Sequence, residues 1–197
     1  MKKLFLATFV AVFSLSSANA QEENGSTFGF EKGNVIVEGS IGFNSTNDKA
    51  SDTKTSSFNL SPKVGYFFTD DLAVGVELDL GSSKINDEKT NSFGAALFAR
   101  YYFLELGERF KTYGELGLGF ASLKQGDAKA SGFGAGLDLG INYFVTETIA
   151  INFGLSDVLS FSSFKPKGGD AYTEFNGNIN VFNNFFDTAQ FGLTFKF

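Results

Sequence analysis

The chain has 197 residues and a formal net charge of −6, with 26 Phe and 23 Gly but no His, Cys or Trp. One domain is the expectation for that length. The missing Cys exclude a disulfide framework and thiolate metal sites. The missing His remove the commonest catalytic base and transition-metal ligand. The acidic balance offers nothing to nucleic acid.

The first twenty residues read as an export signal. Lys2 and Lys3 form a basic start, Leu4 to Leu15 an apolar run too short to span a bilayer, and Ala18-Asn19-Ala20 a small-x-small cleavage site. The expected organisation is a signal peptide over 1–20, a polar lead-in over 21–32 and one β-domain over 33–197. Phe28 and Phe30 are the only large apolar groups of the lead-in.

From Gly33 onward the chain alternates with a period of two, which predicts strands. Gly33 to Phe43 places Val35, Val37, Ile41 and Phe43 on one face and Glu38 and Ser40 on the other. A polar loop is expected from Asn44 to Ser56. Ser57 to Phe68 is the second strand, with Pro62 expected to cost it a ladder bond or force a bulge. Thr69-Asp70-Asp71 is a tight turn, and Leu72 to Gly81 returns. A second polar loop, Ser82 to Asn91, precedes Ser92 to Phe103, whose outer face carries Phe93, Leu97, Tyr101 and Phe103. After a turn over Leu104 to Arg109 come Phe110 to Ala121, a third polar loop to Ser131, Gly132 to Phe144, and Ile149 to Ser156. The eighth strand ends on Phe191-Gly192-Leu193-Thr194-Phe195-Lys196-Phe197, with Phe191, Leu193, Phe195 and Phe197 on one face.

Rings cluster before three short turns, at Tyr66-Phe67-Phe68, Tyr101-Tyr102-Phe103 and Tyr143-Phe144. Short turns with rings at one end and polar loops at the other fit a wall whose apolar face meets lipid. The fold class expected is all-β: an eight-stranded antiparallel up-and-down transmembrane β-barrel. A soluble sandwich also alternates, but here the polar faces are rich in Gly and hold Tyr102, Tyr113 and Phe144, which suits a narrow filled interior.

If the apolar faces meet lipid, Glu38, Lys63, Glu77, Asp79, Arg100, Glu115, Asp138 and Lys196 face the lumen. An eight-stranded barrel has room for side chains and little else. These charges are therefore expected to pair as a plug, with an ion pathway as the other reading. Two further stretches stand out. Residues 157–187 are rich in rings and carry a turn signal over Lys165 to Asp170, so strands seven and eight are expected to extend as a hairpin past the membrane, with Asn183 to Asp187 as a bulge or irregular break. Phe161, Phe164, Tyr172 and Phe175 are expected to form an outward interaction loop, with self-packing over the barrel rim as the other reading. The terminal Phe191, Leu193, Phe195 and Phe197 are expected to form the strand that the barrel-assembly machinery reads. No catalytic, cofactor or metal site is expected: barrel lipases, acyltransferases and proteases rely on a His beside a Ser or Asp, and this sequence has no His.

The signal peptide, the stretches Ser61-Pro62-Lys63-Val64-Gly65-Tyr66-Phe67 and Phe98-Ala99-Arg100-Tyr101-Tyr102-Phe103, and the terminal Phe together resemble the small outer-membrane β-barrel family, the group of the OmpA transmembrane domain, OmpX and OmpW-like porin-family proteins. The Asn- and Phe-rich style resembles Bacteroidetes members. The resemblance implies an outer-membrane location, outer-membrane lipid and the assembly machinery as partners, and either a structural or surface-interaction role through the outer loops or a narrow channel for small or hydrophobic solutes. The mature chain is expected to begin at Gln21, which intact-mass measurement of membrane-purified protein checks.

Overall fold

The computed structural model describes residues 28–177 and 189–197. The signal sequence, the lead-in before Phe28 and the stretch Asn183 to Asp187, read as an irregular break, lie outside the described residues, as does the side chain of Phe191. The strands are β1 (Val35–Asp48), β2 (Thr53–Phe67), β3 (Leu72–Ile85), β4 (Glu88–Leu106), β5 (Phe110–Gln125), β6 (Ala128–Phe144), β7 (Ile149–Pro166), β8 (Tyr172–Gly177) and β9 (Ala189–Lys196). Each pairs antiparallel with its neighbours. None of the described residues is helical.

Strand β9 closes the wall. It pairs with β7 from Ile149↔Phe195 to Leu155↔Ala189 and with β1 from Ile36↔Lys196 to Gly39↔Leu193. The backbones of Val35 and Phe197 exchange both hydrogen bonds, at 2.9 and 2.8 Å. Strand β8 follows the same edge of β7 farther along, from Leu159↔Gly177 to Phe164↔Tyr172. The two segments share one strand position, so the molecule is a closed eight-stranded antiparallel barrel. Closure removes the free sheet edge that a membrane would not tolerate. The end holding Phe30, Val35 and Phe197 is the base; the opposite end is the rim.

The outer wall is apolar because every second residue is. Phe43, Leu97 and Leu118 are 86%, 62% and 57% exposed. Near the base Tyr66 packs edge-on against Phe68 and Phe110 lies 4.7 Å from Tyr143. Toward the rim a second belt runs round the wall: Phe43 faces Phe58 in register, Phe93 lies 5.8 Å from Phe120, Phe120 faces Phe133, and Phe133 lies 6.0 Å from Phe161. Two ring belts flanking an aliphatic band are what a lipid-embedded barrel needs.

Beyond the rim belt the structure departs from the sequence expectation. The polar stretches read as loops are mostly strand: β1 runs to Asp48 and β2 restarts at Thr53, and β3 and β4 are separated only by Asn86 and Asp87. Alternation is lost there because both faces of the wall meet water, and a Ser- and Thr-rich ladder then looks like loop. Local chemistry makes the turns. The Asp48 carboxylate accepts from the Ser51 hydroxyl and from the Ala50 amide, each at 2.8 Å, which holds its carboxyl below the usual range. Asn86 turns the β3–β4 hairpin at φ 53°. Likewise β4 continues to Leu106, past its predicted end, whereas β7 to Pro166 and β8 from Tyr172 form the hairpin extension that the turn signal over Lys165 to Asp170 implies. Pro62 keeps its register with Gly39 of β1 but has no partner in β3, so the cost is a lost rung without a bulge.

The lumen is tight where rings enter it. A Cβ on Gly75 would lie 2.1 Å from the Val64 carbonyl oxygen and 2.5 Å from the Phe98 ring. A Cβ on Gly140 would lie 2.3 Å from the Tyr113 ring. At Gly117 it would meet nothing within 4 Å. Gly75→Val and Gly140→Val are therefore expected to abolish refolding into detergent, scored by heat-modifiable gel mobility, while Gly117→Ala refolds like the unaltered protein.

Candidate functional site: a charge network and a ring stopper in the lumen

Arg100, on the inner face of β4, is 2% exposed. Its Nη1 and Nη2 donate to the two carboxylate oxygens of Glu38 on β1, at 2.7 and 2.8 Å. Its Nε donates to Glu115 Oε2 on β5 at 2.7 Å. A guanidinium can do this because its donors form a rigid planar fork. Lys63 on β2 donates to the other oxygen of Glu115 and lies 3.2 Å from Glu77 on β3. The two cations also face rings: the Arg100 guanidinium lies 4.1 Å from the Tyr113 centroid, and Lys63 Nζ 4.3 Å from that of Phe98.

The remaining strands complete the net. Tyr102 donates to Asn142 Oδ1 at 3.0 Å, Asn142 donates to Thr194 Oγ1 at 2.8 Å, and Thr194 donates to Glu38 Oε1 at 2.6 Å. Tyr113 donates to Asn152 Oδ1 at 2.8 Å, and Asn152 donates to Glu38 at 3.4 Å. Every strand position round the barrel thus supplies at least one member. Buried charges with their hydrogen bonds met are tolerable; stripped of a partner they are costly.

Toward the base a second layer lies under the first. Phe30 enters the lumen and stacks on Phe67 with centroids 4.4 Å apart, with Tyr102 at 4.7 Å and Phe144 at 5.1 Å. Ile36, Ala73 and Ala150 complete this apolar cluster. The entering segment is pinned from outside the stack. Gly33 N donates to the Phe67 carbonyl, Lys32 N to Asp70 Oδ1, and Lys196 Nζ to the Gly29 carbonyl, at 2.9, 2.8 and 2.9 Å. Arg109 covers the Phe28 ring at 4.1 Å. The described part of the lead-in is therefore a stopper in the base of the barrel.

Of the inward charges expected from sequence, Glu38, Lys63, Glu77, Arg100 and Glu115 come together in one network. Asp138 is the register partner of Glu115 and lines a small cavity beside the network. Asp79 lies one inward position nearer the rim than Glu77 and is exposed. Lys196 binds the stopper rather than the acids. The hairpin rings split between faces. Phe161 and Phe175 are register partners on the outer, lipid-side face, in line with Phe133. Phe164 and Tyr172 are register partners on the inner face above the lumen. In the terminal strand Leu193, Phe195 and Phe197 are outward.

Sequence reasoning missed the roles of Phe30, Asn152, Thr194 and Lys111. Lys111 is buried, and its ammonium pairs with Glu105 at the base. A signal for Phe30 did exist, in a large ring within an otherwise polar lead-in. Among the described residues no group of three or more Asp or Glu is placed to hold a metal ion.

The lumen network leaves a cavity of about 120 Å³ on its rim side, bordered by Glu38, Ser40, Ser61, Glu77, Asp138 and Asn152. What the arrangement does chemically is hold two cations and three carboxylates in fixed pairs.

Against known proteins, a family model described as outer membrane protein beta-barrel domain matches residues 5–197. Comparison with curated proteins gives no match. Among solved structures the chain is similar to the outer membrane protein OprG of Pseudomonas aeruginosa, with 16% identity, 86% of this chain and 98% of that chain covered and a TM-score of 0.50. It is also similar to the N-terminal β-barrel domain of P. aeruginosa OprF, with 20% identity, coverage of 84% and 98% and a TM-score of 0.47. For E. coli outer membrane protein W the values are 15% identity, 85% and 99% coverage and a TM-score of 0.47. The likeness to OprG concerns the fold alone.

Arg100→Ala is expected to lower the unfolding free energy in lipid by about 3–5 kcal/mol, because buried Glu38 loses its ion-pair partner and Glu115 keeps only Lys63. Arg100→Lys should recover little of it, since an ammonium lacks the planar fork that makes two bonds to Glu38 and a third to Glu115. Urea titration of vesicle-refolded protein measures both.

Proposed function

We propose that this chain, which belongs to the outer membrane protein beta-barrel domain family, is a plugged barrel that works through its rim rather than its lumen. The observation that carries this reading is the double closure of the lumen. The Arg100 network crosses it, and the Phe30 stack seals it again nearer the base. A permeant solute would have to part both. Moving Arg100 off its carboxylates is costly in a low-dielectric interior. Phe30 is held by three neighbouring rings and by the backbone bonds of Lys32 and Gly33.

In this reading the base, with its short turns and both ends of the barrel chain, faces the periplasm. The rim hairpins stand outside the membrane and carry the surface contacts. The division of the β7–β8 rings supports a narrower surface than the sequence suggested: Phe164 and Tyr172 are the pair turned over the lumen mouth, while Phe161 and Phe175 continue the lipid-side belt. The terminal Leu193, Phe195 and Phe197 stay outward on the closing strand, where the assembly machinery would meet them. The reading assigns no reaction to the chain, because the lumen carboxylates face fixed cations instead of an open substrate space.

Planar-bilayer recording on refolded protein tests it. The unaltered barrel is expected to show no steady conductance, and Phe30→Ala combined with Arg100→Ala and Glu38→Ala is expected to open one. A steady wild-type conductance that changes in Arg100→Ala would replace this reading with the narrow-channel alternative.

A further inference from the structure

The outer faces of the strands above the rim belt are lined with lysine. Phe93, Phe120, Phe133 and Phe161 point out toward lipid, and Lys89, Lys124, Lys129 and Lys165 each lie four residues farther toward the rim on the same strands. An even spacing keeps them on the same face. Four residues span about 13 Å along a strand, about 10 Å of it along the membrane normal at the tilt of such walls, so the flexible lysine stems can bend back to bring the ammonium groups to the headgroup layer above the rings. Lys124 and Lys129 are direct register partners, Lys165 faces Ser131, and Lys167 N donates to the Lys129 carbonyl at 2.8 Å. A second like-charged pair, Lys84 with Lys89, stands two strands along.

Acidic residues balance this face only in part: Asp127 and Asp170 stand in the adjoining turns and make no ion pair with these lysines. Glu88 accepts from Gln125 Nε2 at 2.6 Å, and Glu174 faces Ser162; both alternate to the inner side. Among the described residues Lys84 pairs with Asp87 at 3.8 Å, and Lys124, Lys129, Lys165 and Lys167 make no ion pair and are exposed. Like charges directly opposite one another weaken a ladder. A face meant only to stay wet would gain by mixing signs. Here the four lysines border a groove of about 570 Å³ with the hydroxyls of Ser122 and Ser131. Lysine is a compact cationic donor that suits phosphate, and the flexible stems can lie along the apolar wall while the heads stay polar.

We propose that the β5–β6–β7 lysine face binds the phosphate headgroup of a lipid in the leaflet around the rim. Lys124, Lys129, Lys165 and Lys167 take the phosphate, Ser122 and Ser131 add hydroxyls, and the acyl chains run down the wall over Phe120, Phe133 and Phe161. The barrel would thereby carry an annular anionic lipid at a fixed place on its circumference.

Native mass spectrometry of detergent-refolded full-length mature protein tests this, with phosphatidic acid as the probe and diacylglycerol as the same lipid without phosphate. The unaltered protein is expected to retain phosphatidic acid and release diacylglycerol. The combined variant Lys124→Gln, Lys129→Gln, Lys165→Gln and Lys167→Gln is expected to retain it more than about tenfold less, and Lys32→Gln with Lys49→Gln is expected to bind as the unaltered protein does. Equal retention by the four-site variant overturns the proposal, as does equal retention of diacylglycerol. Displacement of the lipid by inorganic phosphate at equal concentration would also overturn it, marking a free-anion site. Should the four-site variant not refold, the salt dependence of the unaltered protein decides: retention that does not fall as ionic strength rises rejects a phosphate–lysine contact.

Discussion

One guanidinium organises the interior of this barrel. Arg100 reaches from β4 across the lumen to Glu38 on β1 and sideways to Glu115 on β5. A closed wall of eight strands leaves no water channel wide enough to solvate an ion freely, so each inward charge must be met by protein. That requirement brings in Lys63 and Glu77 on one side and the chain from Tyr102 through Asn142 and Thr194 on the other. The network fixes the register of the strands that contribute to it. A one-residue slip would turn Arg100 toward hydrocarbon, a change that costs about 2–4 kcal/mol near the midplane.

The stopper at the base follows from the same narrowness. Below the network the inner face changes from charged to aromatic, and Phe67, Tyr102 and Phe144 leave a slot that Phe30 fills. Tyr102 joins the two layers. Its ring packs with Phe30, while its hydroxyl donates to Asn142 and accepts from Arg100 at 3.3 Å. Rings in the lumen also explain where glycine is required, since Gly75 and Gly140 stand where a ring and a neighbouring carbonyl come too close for any Cβ. Toward the rim the interior is lined by Gly and Ser, and the wall itself continues past the lipid as paired strands. The molecule is thus a cup: sealed and charged below, open and polar above, with a lysine face on the outside of its upper wall.

The alternation of Leu72 to Leu80 or of Phe93 to Phe103 makes each wall strand legible, and with it the inward direction of Glu38, Lys63, Glu77, Arg100 and Glu115. Alternation fails as a signal once the lipid ends. Residues 44–56 and 82–91 have no apolar face to show, yet their backbones pair, because a hairpin held by its ladder needs no buried side chain where the adjoining wall already fixes it. The partners of Arg100 were not legible either. Glu38 is 62 positions away, and the curvature of a closed sheet decides which inward acid meets which inward cation.

The sequence by itself determined the class of object: a period of two with an apolar outer face and a Gly-rich inner one can be satisfied at length only by a closed wall in lipid. It also set the inward direction of Glu38, Lys63, Glu77, Arg100 and Glu115, though not that Asp79 is exposed or that Lys111 is buried. Only the tertiary structure decided how they pair, that Phe30 turns back into the base, and that the rings of the β7–β8 hairpin divide between lipid and lumen mouth. Those outcomes depend on how the wall curves and where it closes, and residues far apart in the chain meet only once the last strand has found the first.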